Sequence, residues 1–389
     1  MIAPSIQDIN TLHLLPPLRR LFGFQTVAQV HWQMEKMKGG IGNPVSMGLC
    51  RFYGHALVQD QMQPFSMVLK AIRSPAKVGL SNLGEGDDQT HWNYWQREAF
   101  FYQSDLISQV PAGITIPQCY GIHHWDDQII WLWLEEIEHG QGDIQQPEQL
   151  GFLAYQLGRL NGKFADPARL PDAAWLARNT HAQWLKSTPR SAKALLTATG
   201  QPKWDHPYLQ SLFPAAHSHP FRQFWDAIDH FLAILPALPS TWCHGDGAPT
   251  NFKIRQTSDD GQEVVALDWA LTGIGVLGED VAQLIGASYA FFDAGNWDNL
   301  IQMLLNRYLD GLREMGWPGD ARLVWLGYAI TTLIKYGTFL FLIIEFGLNA
   351  DDEIPPATQQ HKTAAQFLQQ TAQLALELNY TGATHVSTV

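Results

Sequence analysis

The sequence predicts an α+β protein of two lobes: a small β-rich N-terminal lobe over residues 1–138 and a larger, mainly helical lobe over 139–389. Three observations predict it. A chain of 389 residues is too long for one typical domain. Its first third breaks into short strand-like runs joined by polar, Gly-containing loops. Its remaining two-thirds places apolar residues mostly at helical spacing. With 46% hydrophobic and 16% charged residues, the chain can bury a sizeable core and does not have a disordered composition.

The elements follow in order. QVHWQMEKM, CRFYGHALV and FSMVLKAIR read as successive strands, the first two joined by the loop KGGIGNPVS. The polar loop SNLGEGDDQTH leads into WNYWQREAFFYQSDLIS, which has helical periodicity. CYGIHHWD and QIIWLWLEEI form a plausible hairpin. Pro147 opens a helix whose Leu150, Leu153, Leu157, Leu160 and Phe164 share one face. The stretch 166–220 holds several Pro and Trp with poor helical pattern and suits a substrate-facing insertion. Helical patterns return over 221–235, 279–293, 298–315, 321–347 and 359–378. One segment, 323–348, is long enough to span a bilayer, but Lys335 and Glu345 interrupt it, so it reads as a buried helix. There is no internal repeat and no low-complexity tract.

Charge and cysteines narrow the classes. Lys plus Arg total 25 against 37 Asp plus Glu, a formal net charge of −12. Sequence-independent nucleic-acid binding needs Lys and Arg facing phosphates, so that class is disfavoured. Cys50, Cys119 and Cys243 lie far apart without a CxxC, which indicates reduced thiols and a cytoplasmic setting. The opening MIAPSIQDINTLHLLPPLRR lacks the basic-then-apolar pattern of a signal peptide.

The chemistry concentrates in TWCHGDGAPTNFKI, 241–254, between the helical FRQFWDAIDHFLAIL and the β-rich EVVALDW. A lone Asp in a loop is usually a turn or cap residue. Here Asp246, Asn251 and Asp268 each lie beside an apolar run, and a helix, a polar loop and a hairpin ending in a carboxylate can hold a metal. His244-Gly-Asp246 with Asn251, followed by LDW at 267–269 and GVLGED at 275–280, resembles the aminoglycoside phosphotransferase and choline kinase family, which has the protein-kinase-like fold. The resemblance spans the chain from about the Gly loop at 39 to the helix after Asp280.

The resemblance implies transfer of a phosphoryl group from ATP, with Mg²⁺, to a hydroxyl of a small molecule. That chemistry asks a protein mainly to position groups and to neutralise charge. Asp246 would accept or orient the proton of the acceptor hydroxyl. Asn251 follows five residues later, the interval between the Asp and Asn of the protein-kinase catalytic loop. Asn251 and Asp268 would supply hard oxygen ligands to Mg²⁺. His244 would pack and hydrogen-bond the loop.

In the small lobe, Lys70 sits inside a strand, where an ammonium needs a partner. It would hold the nucleotide phosphates, fixed by Glu98 on the following helix; the plainer alternative makes Lys70 the end of an edge strand and Glu98 part of a solvated face. The turn 39–46, with Gly40 and Gly42, would cover the phosphates, although it lacks the protein-kinase GxGxxG. The backbone of Glu135 and Ile137 would meet the adenine edge, unless this is an ordinary strand ending in exposed acids. Between Asp268 and Asp280 there is no room for a long activation segment, so a peptide acceptor is disfavoured. Asp280 would cap the following helix and support the catalytic loop.

The sequence therefore predicts a cytoplasmic small-molecule kinase that binds neither nucleic acid nor membrane. Its acceptor is an aminoglycoside-, amino sugar- or choline-like compound, or another natural-product alcohol; acidic charge and Trp faces suit an amine-bearing one. A catalytically weak, nucleotide-binding regulatory protein of the same fold is the alternative. A helical interaction or membrane protein is a third, resting on 323–348 alone.

Overall fold

The computed structural model describes residues 6–37, 45–78, 88–137, 142–188, 204, 206–258, 261–291, 297–338, 340 and 358–380. In chain order the first elements are helix α1 (Thr11–Phe22), strands β1 (Val27–Lys36), β2 (Ser46–Val58) and β3 (Gln61–Arg73), and helix α2 (Arg97–Gln103). Strands β4 (Ile114–Thr115), β5 (Cys119–Asp126) and β6 (Ile129–Glu135) follow, then helices α3 (Pro147–Lys163), α4 (Thr180–Ser187), α5 (Pro207–Leu212), α6 (Ala215–Asp226) and α7 (Ile228–Ile234). Strands β7 (Ser240–Cys243), β8 (Phe252–Gln256), β9 (Gln262–Ala266) and β10 (Gly273–Val276) precede helices α8 (Glu279–Phe291), α9 (Trp297–Glu314), α10 (Ala321–Thr332) and α11 (Gln359–Tyr380). The chain divides into two compact units: 1–143 with 252–271, and 144–251 with 272–389. The fold is α+β, as expected.

In the first unit, five antiparallel strands run in the order β1-β2-β3-β6-β5. A two-residue turn joins β2 to β3. Gln59 and Asp60 both take positive φ (48° and 63°), the backbone that matches strand twist in a tight hairpin. Phe52, Met67, Leu69, Trp131 and Trp133 bury one face of this sheet together with Leu14 and Leu18 of α1. A second sheet, β4-β9-β8, pairs β4 in parallel with β9. The hairpin β8–β9 thus builds the same unit as the N-terminal strands, although it follows them by more than a hundred residues.

The sequence patterns assign nothing to α1, because Pro16 and Pro17 fall inside it. It forms anyway, with an Asn10–His13 capping box at its start and Gly23 at φ 73° at its end. The expected helix after the Gly-containing loop is short: α2 spans seven residues, and Ser104 then caps a 3₁₀ turn, Asp105–Gln109.

In the second unit, β7 and β10 pair antiparallel within a largely helical body. The long helices α3 and α9 approach closely at glycines. A Cβ on Gly158 would stand 2.1 Å from the Tyr308 carbonyl oxygen, and one on Gly311 would stand 2.1 Å from that of Tyr155. The helix expected over 221–235 begins earlier, at Ala215, and breaks at Ala227. The helix expected over 321–347 changes to a π turn at Leu333–Gly337, and 339 and 341–347 lie outside the described residues. No helix among the described residues is long and apolar enough to cross a membrane.

Candidate active site

In the first unit the structure brings together Lys70, Glu98 and Asp268. Lys70 lies mid-strand in β3, paired across to Leu49 of β2 and Leu132 of β6, so it is central and not at an edge. Its Nζ reaches Glu98 Oε2 at 2.6 Å and Asp268 Oδ1 at 2.7 Å. Glu98 is 2% exposed, which removes the solvated-face alternative. Burial alone would lower the Lys70 pKa, but the charges of Asp268 and Glu98 outweigh it and hold the ammonium above its ordinary value. Burial pushes the Glu98 carboxyl up to about 7, against the pull of Lys70. Withdrawing an ion pair from water is costly, and these short contacts offset part of that cost.

Asp268 follows the β9 strand with φ 54°. A left-handed Asp is uncommon, and such strain persists only where the surroundings over-determine it. The next residue, Trp269, is fully buried. Its ring stacks on Phe101 of α2, with centroids 4.4 Å apart, and its indole N–H donates to the Ala266 carbonyl at 3.1 Å.

At the end of β6, Glu135 and Glu136 are tied to arginines. Arg255 of β8 lies 3.6 Å from Glu135, and Arg51 of β2 lies 2.7 Å from Glu136. The Glu136 side chain is only 11% exposed, so it is not the solvated strand end of the plainer reading. Glu135 Oε2 also accepts from the Gln118 N–H at 3.0 Å. Ile137 is half-buried. Gly40 and Gly42 lie outside the described residues.

In the second unit, the loop after β7 carries His244, Asp246 and Asn251. Its shape comes from Asp280 in the first turn of α8. The Asp280 carboxylate, fully buried, accepts from the His244 N–H at 3.0 Å, the Gly245 N–H at 3.0 Å and Asn161 Nδ2 at 2.9 Å. Burial raises its pKa, while the neighbouring His244 ring and these donors pull the other way. His244 is buried, and its Nδ1 accepts from the Asp246 N–H at 3.3 Å. Asn251 Nδ2 donates to the Asp246 carbonyl at 3.3 Å. Gly247 packs on α8, where a Cβ would meet the Asp280 carbonyl oxygen at 2.5 Å. Asp246 itself is half-buried.

Two residues that sequence patterns passed over are central to these groups. Asn161 of α3 donates to Asp280 and to the Trp242 carbonyl, accepts from the Tyr308 hydroxyl at 2.6 Å, and is fully buried. A polar residue one turn beyond Leu157 on an otherwise apolar stripe was the available signal. Arg97 is fully buried beside Glu98. Its signal was an arginine opening the otherwise apolar run AFFY after the acid.

The family model of APH, the phosphotransferase enzyme family, matches residues 97–318, more than half of the chain. Among solved structures, a choline kinase from Cryptosporidium parvum aligns with TM-score 0.50 and 12% identity, covering 96% of this chain and 99% of that one. An amicoumacin kinase in complex with AMP-PNP, Ca²⁺ and Ami aligns at 0.47 and 11%, covering 98% and 97%. An aminoglycoside phosphotransferase from Alicyclobacillus acidocaldarius aligns at 0.48 and 13%, covering 91% and 93%. No curated protein matches the sequence.

Proposed function

The chain belongs to the APH phosphotransferase enzyme family and is a small-molecule kinase; on that premise, we propose that it transfers the γ-phosphoryl group of ATP, with Mg²⁺, to a hydroxyl of a small molecule. The observation that carries this reading is the Lys70–Glu98–Asp268 cluster, a half-buried strand cation held by one carboxylate from helix α2 and one from the turn after β9. Lys70 binds the nucleotide phosphates and Glu98 keeps its ammonium in place. The backbone of Glu135 and Ile137 reads the base edge, on a strand end that the paired Glu135 and Glu136 hold still. Gly40 and Gly42 belong to the turn that covers the phosphates.

The donor chemistry of the candidate metal residues fits Mg²⁺. One oxygen of Asp268 faces Lys70, and the side chain remains 39% exposed. Asn251 uses its amide nitrogen on the loop, so its carbonyl oxygen is the atom to offer. Both are the hard oxygen ligands that the ion prefers. When bound, Mg²⁺ neutralises charge on the transferring phosphate. Asp246 takes the proton from the acceptor hydroxyl as the oxygen attacks phosphorus.

The acceptor is an alcohol, and the net charge of −12 favours one that carries an amine, such as an aminoglycoside, an amino sugar or a choline-like compound. Three unpaired cysteines suit the reducing cytoplasm.

The test is a panel of alcohols screened for ADP release with ATP and Mg²⁺, alongside a thermal-shift titration. Asp246→Asn should lower kcat on the active acceptor by on the order of 10²–10⁴-fold while leaving ATP-induced stabilisation intact. Stabilisation by ATP with turnover of no acceptor would instead mark a nucleotide-binding regulator.

A further inference from the structure

The reading above leaves Arg97 without a role, although it is fully buried and immediately precedes Glu98. Its guanidinium donates to four backbone carbonyls. Nη1 reaches Trp92 O at 2.8 Å and Ala270 O at 3.0 Å; Nη2 reaches Gln89 O at 3.0 Å and His91 O at 2.5 Å. Three of these acceptors lie just before α2. The fourth is 173 residues away in sequence and two residues past Asp268.

We propose that Arg97 is a positioning residue for Asp268: by grasping the Ala270 carbonyl it holds the left-handed backbone that aims the Asp268 carboxylate, and so sets the affinity for the divalent cation. The proposal rests on Asp268 being a metal ligand. Asp268 sits at φ 54°, and a backbone held there needs support beyond its own preferences. That support comes from α2. Phe101 stacks on Trp269, and Arg97 closes the far side at Ala270. The two residues that follow Asp268 are thereby referred to the helix whose Glu98 pairs with Lys70. A guanidinium suits the task because its planar fork sends several N–H groups to separate acceptors at fixed angles. A lysine offers three donors from a single point.

The experiment compares full-length Arg97→Lys and Asp268→Ala with the wild-type protein. Mn²⁺ binding in the presence of ADP is read from the electron paramagnetic resonance of free Mn²⁺, with metal-free ADP affinity and Tm measured alongside. Arg97→Lys should bind Mn²⁺ about 10–100-fold more weakly, the usual loss for a group that supports a metal ligand, with metal-free ADP affinity unchanged. Asp268→Ala should lose the ADP-dependent Mn²⁺ site altogether. Wild-type Mn²⁺ binding in Asp268→Ala would remove the metal reading and this proposal with it. Loss in Asp268→Ala with wild-type affinity in Arg97→Lys overturns the role of Arg97 alone. So does a fall in metal-free ADP affinity in step with Tm, the mark of a merely structural tie. If Arg97→Lys does not fold, hydrogen exchange on the wild type decides. Mn²⁺ and ADP protecting the amides of 88–94 together with those of 266–271 supports the clamp; protection of 266–271 alone overturns it.

Discussion

Glu98 holds a carboxyl that burial has pushed up to about 7, against 4.5 in an unfolded chain. Between these values the folded state keeps a proton that the unfolded state has released. Stability from this group is therefore complete below pH 4.5 and is lost as pH rises through 7, by on the order of 1–3 kcal/mol. Glu98→Gln should flatten that limb of Tm against pH, and an unchanged slope would show that Glu98 titrates normally. Lys70 was legible because an ammonium inside an apolar strand demands a partner. Asp246 and Asn251 were legible because their interval is local, and Asp280 because it opens a helix just after the second acid. Arg97 and Asn161 were not, since what makes them matter is acceptors 173 and 119 residues distant, which no local pattern encodes.

Among the elements, the α3–α9 pair has the least tolerance. Gly158→Ala would push a methyl into the Tyr308 carbonyl, and the overpacking should cost about 1–3 kcal/mol or more. Gly316 offers a control, because a Cβ there meets nothing within 4 Å and only its φ of 86° opposes Ala. Denaturant melts should place Gly158→Ala well below Gly316→Ala; equal midpoints would mean that the helices can separate cheaply. The damage should also reach the catalytic loop, because Tyr308 donates to Asn161, which donates to Asp280. Helical periodicity showed where α3 and α9 lie, but not that they touch at glycines, since contact depends on the packed partner. The same limit hid α1 behind its prolines and the π turn at Leu333–Gly337 inside a segment that reads as one continuous helix.

At the scale of the molecule, the chain enters and leaves the first unit twice, and residues 252–271 return to it with β8, β9 and Asp268. A fragment ending at Asp143 lacks the partner of β4, the ring that stacks on Phe101 and the Ala270 carbonyl that Arg97 grasps. That fragment should melt without cooperativity, and fusing 252–271 to it should restore a sharp transition; cooperative melting of 1–143 alone would refute the dependence. The order of synthesis adds a consequence. At 5–20 residues per second, a ribosome needs on the order of ten seconds to travel from Asp143 to Leu271. For that interval the nascent first unit presents Phe101 and the guanidinium of Arg97 to whatever the cell supplies, while the first part of the second unit, 144–251, is being made. The last-made stretch of the first unit then acts as its clasp, so translation pauses or chaperones acting before residue 271 should affect the yield of folded protein more than those acting after it.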